Sequence, residues 1–182
     1  MEKSFKHPSS NGVHLTHEIA TKYLEDLTAI ANQIPEVSYC AEDILSNLKG
    51  DRQLLNKWDH SLVIFDDNKP IALAIGYERH AERNVQYPNN TIYISELAVA
   101  DTHQHQGIGR FLLSQFFKLN DEIGFISLSG ELEYSVQTNL AEWNSHVIDL
   151  YKSFGFKQRA TKVYPNRLDV VLGLSAESLK LE

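Results

Sequence analysis

The sequence predicts a mixed α/β protein, a central, mostly antiparallel sheet flanked by about four helices, and three observations carry that reading. Apolar spacing switches between the helical period of 3.6 and the strand period of 2 along the chain. Two apolar pairs separated by turn residues, over 61–77 and 156–174, read as hairpins. Between them the pattern runs strand, helix, strand, helix, which places helices against a sheet. No repeat, low-complexity tract or linker interrupts the 182 residues, so residues 1–182 read as one domain.

Residues 1–14 are polar and read as a loose tail, with Val13–Leu15 the candidate for a first strand. Thr16 can cap a helix in which Ile19, Tyr23, Leu27 and Ile30 recur at helical spacing. A second helix is expected over Ala41–Leu48, ending at Gly50. Ser61–Phe65 and Pro70–Tyr77 flank the turn Asp66-Asp67-Asn68-Lys69, and a polar loop follows over residues 80–90. Thr91–Ala100 is the next strand. Its apolar residues change parity, from Ile92 and Ile94 to Leu97 and Val99. Either a β-bulge near Ser95-Glu96 or a strand covered on both faces accounts for this.

A helix from Gly107 presents Ile108, Phe111, Leu112, Phe116 and Leu119 on one face. Phe125–Ser129 reads as a short buried strand, and residues 130–143 as a long polar connection. Trp143, Val147, Leu150, Tyr151 and Phe154 form the next amphipathic pattern, with Gly155 at its C-terminal end. Phe156–Tyr164 and Arg167–Leu174 flank Pro165-Asn166, with Leu168, Val170, Leu172 and Leu174 alternating in the last strand.

Composition narrows the function. A net charge of −7 without a Lys/Arg cluster argues against a nucleic-acid partner, whose phosphates call for a basic stripe. No apolar run approaches the ~18 residues of a membrane span. The first residues, MEKSFKHPSSNGVH, lack the apolar core of a secretory signal, and the single Cys40 cannot form an intramolecular disulfide. A cytoplasmic location fits best.

The segment Val99-Ala100-Asp101-Thr102-His103-Gln104-His105-Gln106-Gly107-Ile108-Gly109-Arg110 joins a strand to a helix. Its glycines let the backbone turn tightly and approach a ligand, and a helix N-terminus offers amide groups and a positive dipole end to a pyrophosphate. A tight turn that binds nothing has the same letters. A Walker A loop needs Gly-Lys-Ser/Thr, whereas Arg110-Phe111 follows Gly109; a dinucleotide fingerprint needs a glycine where Leu112 stands.

Gln104-x-x-Gly107-x-Gly109 resembles the Gln/Arg-x-x-Gly-x-Gly/Ala motif of the GNAT superfamily of acetyl-CoA-dependent N-acetyltransferases. Glu96-Leu97-Ala98-Val99 is similar to that family's fourth strand, and Asn144 to Phe156 resembles its Asn-x-x-Ala-x-x-Leu-Tyr-x-x-x-Gly-Phe segment, with Val147 at the alanine position. The resemblance covers roughly residues 61–174. It implies a GNAT-like sheet splayed between its fourth and fifth strands, with acetyl-CoA as co-substrate in the opening. Backbone groups of Leu97, Ala98 and Val99 would then receive the acetyl-pantetheine arm, and an N–H there would stabilise the tetrahedral oxyanion. Amides from Gln104 through Gln106, Gly107, Ile108 and Gly109 to Arg110 would take the pyrophosphate, and Asn144 the pantetheine.

Tyr151 matches the family's general acid for the departing thiolate. A phenol with pKa about 10 and a thiol at about 8.5 are close enough for transfer within a hydrogen bond. The alternative is a core tyrosine with its hydroxyl at the surface. The acceptor amine must first lose a proton, since at pKa near ~10.4 it is neutral about once in 2,500 molecules at pH 7, a handicap of roughly 4–5 kcal/mol. Glu96 is the candidate base; a solvated or salt-bridged carboxylate is the alternative, and a water chain can also serve.

Glu131, Glu133, Tyr134 and Trp143 in the long connection suit a cationic amine, as a solvated loop would also contain them. His103-x-His105 has no third ligand at useful spacing, so no metal is expected. The resemblance implies direct transfer from acetyl-CoA to a primary amine of a small molecule or peptide in a ternary complex. A non-catalytic acyl-CoA-binding regulatory module is the rival from another class, and an enzyme acting on charged transfer RNA is disfavoured by the acidic balance. Homodimers are common in the family, although no signal in this sequence points to one.

Overall fold

The computed structural model describes residues 12–33, 56–79, 91–122 and 136–174. The expected helix over 41–48, the loop over 80–90 and the strand over 125–129 lie outside these residues, as does Cys40. Strand β1 is Val13–His14, inside the expected first strand, and pairs antiparallel with β2, Leu62–Asp66. Thr16 caps helix α1, His17–Lys22, its hydroxyl accepting from the Ile19 amide at 3.2 Å. The single helix expected here is two: Tyr23 leaves helical geometry with φ −113° and ψ 25°, and α2 resumes over Leu24–Ala31. The apolar spacing survives the break, so Leu27 and Ile30 are still buried.

The first hairpin forms where expected. Strands β2 and β3, Lys69–Arg79, pair antiparallel about Asp67 and Asn68, whose φ of 44° and 65° make the left-handed turn that matches strand twist. Helices α1 and α2 cover Val63, Leu73 and Ile75 of this hairpin and Ala98 of strand β4, Thr91–Val99, with Leu15 and Ala20 in the same cluster. At roughly 1.5–3 kcal/mol for each large side chain so buried, this cluster is what holds the short helices in place.

Burial along β4 alternates without a break. Ile92, Ile94, Glu96 and Ala98 are buried, while Tyr93, Leu97 and Val99 are half-buried. The parity change in the letters is therefore not a change of phase: Glu96 occupies the core-facing position where an apolar residue was expected. A 3-10 turn, Asp101–His103, leads to α3, Ile108–Glu122. Helix α3 buries Ile108, Leu112, Phe116 and Leu119 as its period predicts, and Leu113 and Phe117 widen the stripe.

The largest departure from the sequence reading follows. Val136–Ala141, read as part of a polar connection, is strand β5, which pairs parallel with β4 and antiparallel with β7, Arg167–Leu174. Gln137 and Thr138 are buried within it, so its polar letters hid a central strand. Helix α4, Ser145–Ser153, buries Ile148 and Tyr151 and ends at Gly155, whose φ of 94° is the left-handed C-terminal conformation expected of it. Trp143 lies outside this helix, in the preceding turn, and is exposed. Strand β6, Lys157–Tyr164, completes the second hairpin with β7; Arg159 bulges from the register and both faces of β6 are largely exposed.

The seven strands form one mixed sheet in the order β1-β2-β3-β4-β5-β7-β6. By contact density the chain divides into two compact units, Met1–Tyr77 with Glu96–Leu119, and Glu78–Ser95 with Asn120–Glu182. The first carries the strand-to-helix loop after β4, and the second carries β5, α4 and the β6–β7 hairpin.

Candidate functional site

In the first unit the candidate residues fall within one stretch of chain from Glu96 to Arg110, the last three of them in the first turn of α3. Ala100 anchors its start, donating to the Ile71 carbonyl at 2.8 Å. The 3-10 turn follows because His103 and Gln104 donate back to Ala100 and Asp101 at 2.7 and 3.3 Å. The Gln104 side chain then closes the turn, its Nε2 donating to the Val99 carbonyl and to Asp101 Oδ1, both at 3.0 Å. Gln106 Nε2 does the same for the Thr102 carbonyl at 3.0 Å. Both glutamines therefore shape the loop.

His105, at φ 58°, and Gly107, at φ 78°, are left-handed, and this pair of reversals swings the chain into the helix. The first helical hydrogen bond runs from the Phe111 amide to the Gly107 carbonyl at 3.0 Å. The amides of the first turn, beginning at Ile108, thus have no intrahelical acceptor and stand at the positive end of a helix of 15 residues. Geometry of this kind binds anions through backbone groups.

His103 has other partners. His103 Nδ1 lies 2.7 Å from Thr102 Oγ1, and its Nε2 lies 3.7 Å from Asp66 Oδ2. Among the described residues no three His, Cys, Asp or Glu side chains gather as metal ligands would.

Glu96 is 6% exposed, and burial pushes its carboxyl up to about 8. Of the two alternatives, the solvated carboxylate therefore does not hold. A buried carboxyl whose proton comes off in the neutral to mildly alkaline range is suited to accept a proton there.

In the second unit, Asn144 and Tyr151 lie at the start and near the end of α4. Asn144 occupies the cap position, and its carbonyl accepts from Val147 and Ile148, yet its side chain makes no capping bond. Tyr151 is 1% exposed and packs edge-on against Phe156, ring centres 5.0 Å apart. The alternative of a hydroxyl at the surface is thus excluded. Glu131, Glu133 and Tyr134 lie outside the described residues.

The sequence reading missed Thr138. It is 2% exposed, and its hydroxyl donates to the Ile94 carbonyl at 3.0 Å. The parallel ladder of β4 and β5 runs from Ile92↔Val136 to Ile94↔Thr138, so this bond lies at its final rung. Only the recognition of β5 as a strand could have drawn attention to it.

A buried carboxyl on β4, a helix opened by a left-handed glycine and a buried tyrosine on a later helix are the features that the resemblance singled out. The family model for the acetyltransferase (GNAT) domain matches residues 57–158, more than half of the 182. The chain belongs to the GNAT acetyltransferase family. GNAT proteins of known structure share its fold. Ribosomal-protein-alanine N-acetyltransferase from Brucella melitensis is 16% identical, with a TM-score of 0.62 over 90% of this chain and 98% of that one. Ard1 from Thermoplasma volcanium is 19% identical, with a TM-score of 0.61 over 91% and 98%. Diaminobutyrate acetyltransferase from Paenibacillus lautus, solved with L-2,4-diaminobutyric acid and coenzyme A, is 13% identical, with a TM-score of 0.60 over 89% and 93%. Family membership makes this chain an acetyl-CoA-dependent N-acetyltransferase.

Proposed function

We propose that this GNAT protein moves the acetyl group directly from acetyl-CoA to a primary amine of a small molecule or peptide within a ternary complex. The observation that carries the reading is the loop from Ala100 to Gly109, which its own glutamines hold in place ahead of a helix start of the kind suited to an anion. The pyrophosphate would lie on amides between His105 and Arg110. The Gln104 amide is already given to Asp101, so its part is to hold the loop. The pantetheine arm would run along Leu97, Ala98 and Val99, and Asn144 would bond to it.

Glu96 would accept the proton of the incoming ammonium, directly or through water. The free amine then attacks the thioester carbon, and a β4 amide stabilises the oxyanion. Tyr151 would protonate the thiolate as the C–S bond breaks, and the proton that the new amide nitrogen must still lose would return the phenolate to the phenol. One neighbour is named for L-2,4-diaminobutyric acid and another for a ribosomal-protein alanine, which supports both acceptor classes without choosing between them. The proposed place of work is the cytoplasm; no helix of the described residues is long and apolar enough to cross a membrane. The test is thiol release from acetyl-CoA over a panel of amines, amino acids and basic peptides. A hit that Tyr151→Phe abolishes establishes the enzyme and its substrate class. Binding of acetyl-CoA with no turnover on any acceptor would favour the regulatory module.

A further inference from the structure

We propose that Thr138 is a positioning residue: its hydroxyl fixes the final rung of the β4–β5 ladder and so sets the backbone that receives the acetyl-pantetheine arm. The inference rests on the acetyl-CoA reading above. Strand β5 does not end where its ladder with β4 ends. It continues to Ala141 and stays paired with β7 as far as Ala141↔Asp169. Strand β4 likewise continues to Val99. What distinguishes the last rung, Ile94↔Thr138, is the side-chain bond of 3.0 Å from Thr138 Oγ1 to the Ile94 carbonyl.

That bond is firmly held. Thr138 is 2% exposed, and a buried hydroxyl without an acceptor is costly, so the hydroxyl is committed to this carbonyl. A β-branched side chain has few alternative rotamers in a strand, which leaves the oxygen one direction to point. The Ile94 carbonyl shares a rigid peptide plane with the Ser95 amide, and Glu96 follows one residue later. Holding that plane therefore orients the part of β4 where the thioester would lie, without Thr138 touching the cofactor.

The experiment compares Thr138→Val, which keeps the shape and removes the hydroxyl, with Thr138→Ser, which keeps the hydroxyl. Each is titrated by calorimetry with acetyl-CoA and with adenosine 3′,5′-bisphosphate, the nucleotide end without the pantetheine, and each is melted to confirm folding. The expected result for Thr138→Val is acetyl-CoA binding about tenfold weaker, the equivalent of one lost hydrogen bond, with nucleotide binding unchanged. Thr138→Ser should recover most of the loss, and the acetyl-CoA KM should follow the same order. Equal weakening toward both probes marks a general loss of structure and overturns the proposal, as does unchanged binding of both. A wild-type protein that binds neither probe overturns the acetyl-CoA reading itself, and this inference with it.

Discussion

The loop after β4 and the helix after β5 carry comparable shares of the proposed chemistry by opposite means. Between Ala100 and Gly109 the side chains turn inward upon the loop: Gln104 and Gln106 bond to carbonyls of the same loop, and the backbone is what remains for a ligand. In α4 the backbone is consumed by the helix, and the proposed roles fall to side chains, that of Asn144 at its start and that of the buried Tyr151 near its end. Substitutions in the loop should thus change affinity through shape, and a substitution at Tyr151 should change the rate through chemistry.

The largest effect expected is for Tyr151→Phe: turnover on any accepted amine falls on the order of a hundredfold or more, and calorimetric acetyl-CoA affinity stays within about a factor of two. An equal fall in both would erase the contrast between the two regions.

Glu96→Gln should come next. With its carboxyl at about 8, Glu96 becomes a competent base only as pH rises toward that value. The wild-type kcat/KM should climb through that range, and the variant should lose about tenfold at pH 8 along with that limb of the profile. The same shift has a stability signature. A carboxyl raised above its unfolded value of 4.5 contributes fully below that pH, and the contribution is lost as pH rises to about 8. Melting temperatures of wild type should therefore decline across that window more steeply than those of Glu96→Gln.

Gly107→Ala places a side chain at φ 78°, a cost of about 1–2 kcal/mol, and sets a methyl group beside the anion position. Acetyl-CoA should bind roughly tenfold more weakly while kcat under saturation is kept. Gln104→Ala removes two bonds of 3.0 Å from an outward loop and should weaken acetyl-CoA only about fivefold, again with kcat intact. A fall in kcat for either loop variant would mean that the loop also governs the reacting end.

The same contrast explains what could be read from the letters. The loop and α3 were legible because glycine placement and the helical period are local properties of the chain. The hairpins were legible because Asp67-Asn68 and Pro165-Asn166 announce their turns. Strand β5 was not: Gln137, Thr138 and Asn139 look like a loop until the neighbouring strands, distant in sequence, supply their burial. Glu96 misled in the instructive direction. The change of apolar parity at this position fits a bulge as well as a doubly covered strand. The carboxyl instead takes a core position, so pattern reasoning failed at the residue proposed as the base.

The outer margin of the sheet bears on how the protein behaves when concentrated. Strand β6 lies at the end of the sheet order, a template to which another chain could add. Lys157, Arg159 and Lys162 put three like charges along it, and the bulge at Arg159 bends the ribbon away from the flat geometry that such addition needs. Copies that meet margin to margin would bring cation against cation on mismatched backbones. Edge protection is thus built into this strand, and replacing those three residues with β-branched apolar ones is the change that would leave it open to strand addition.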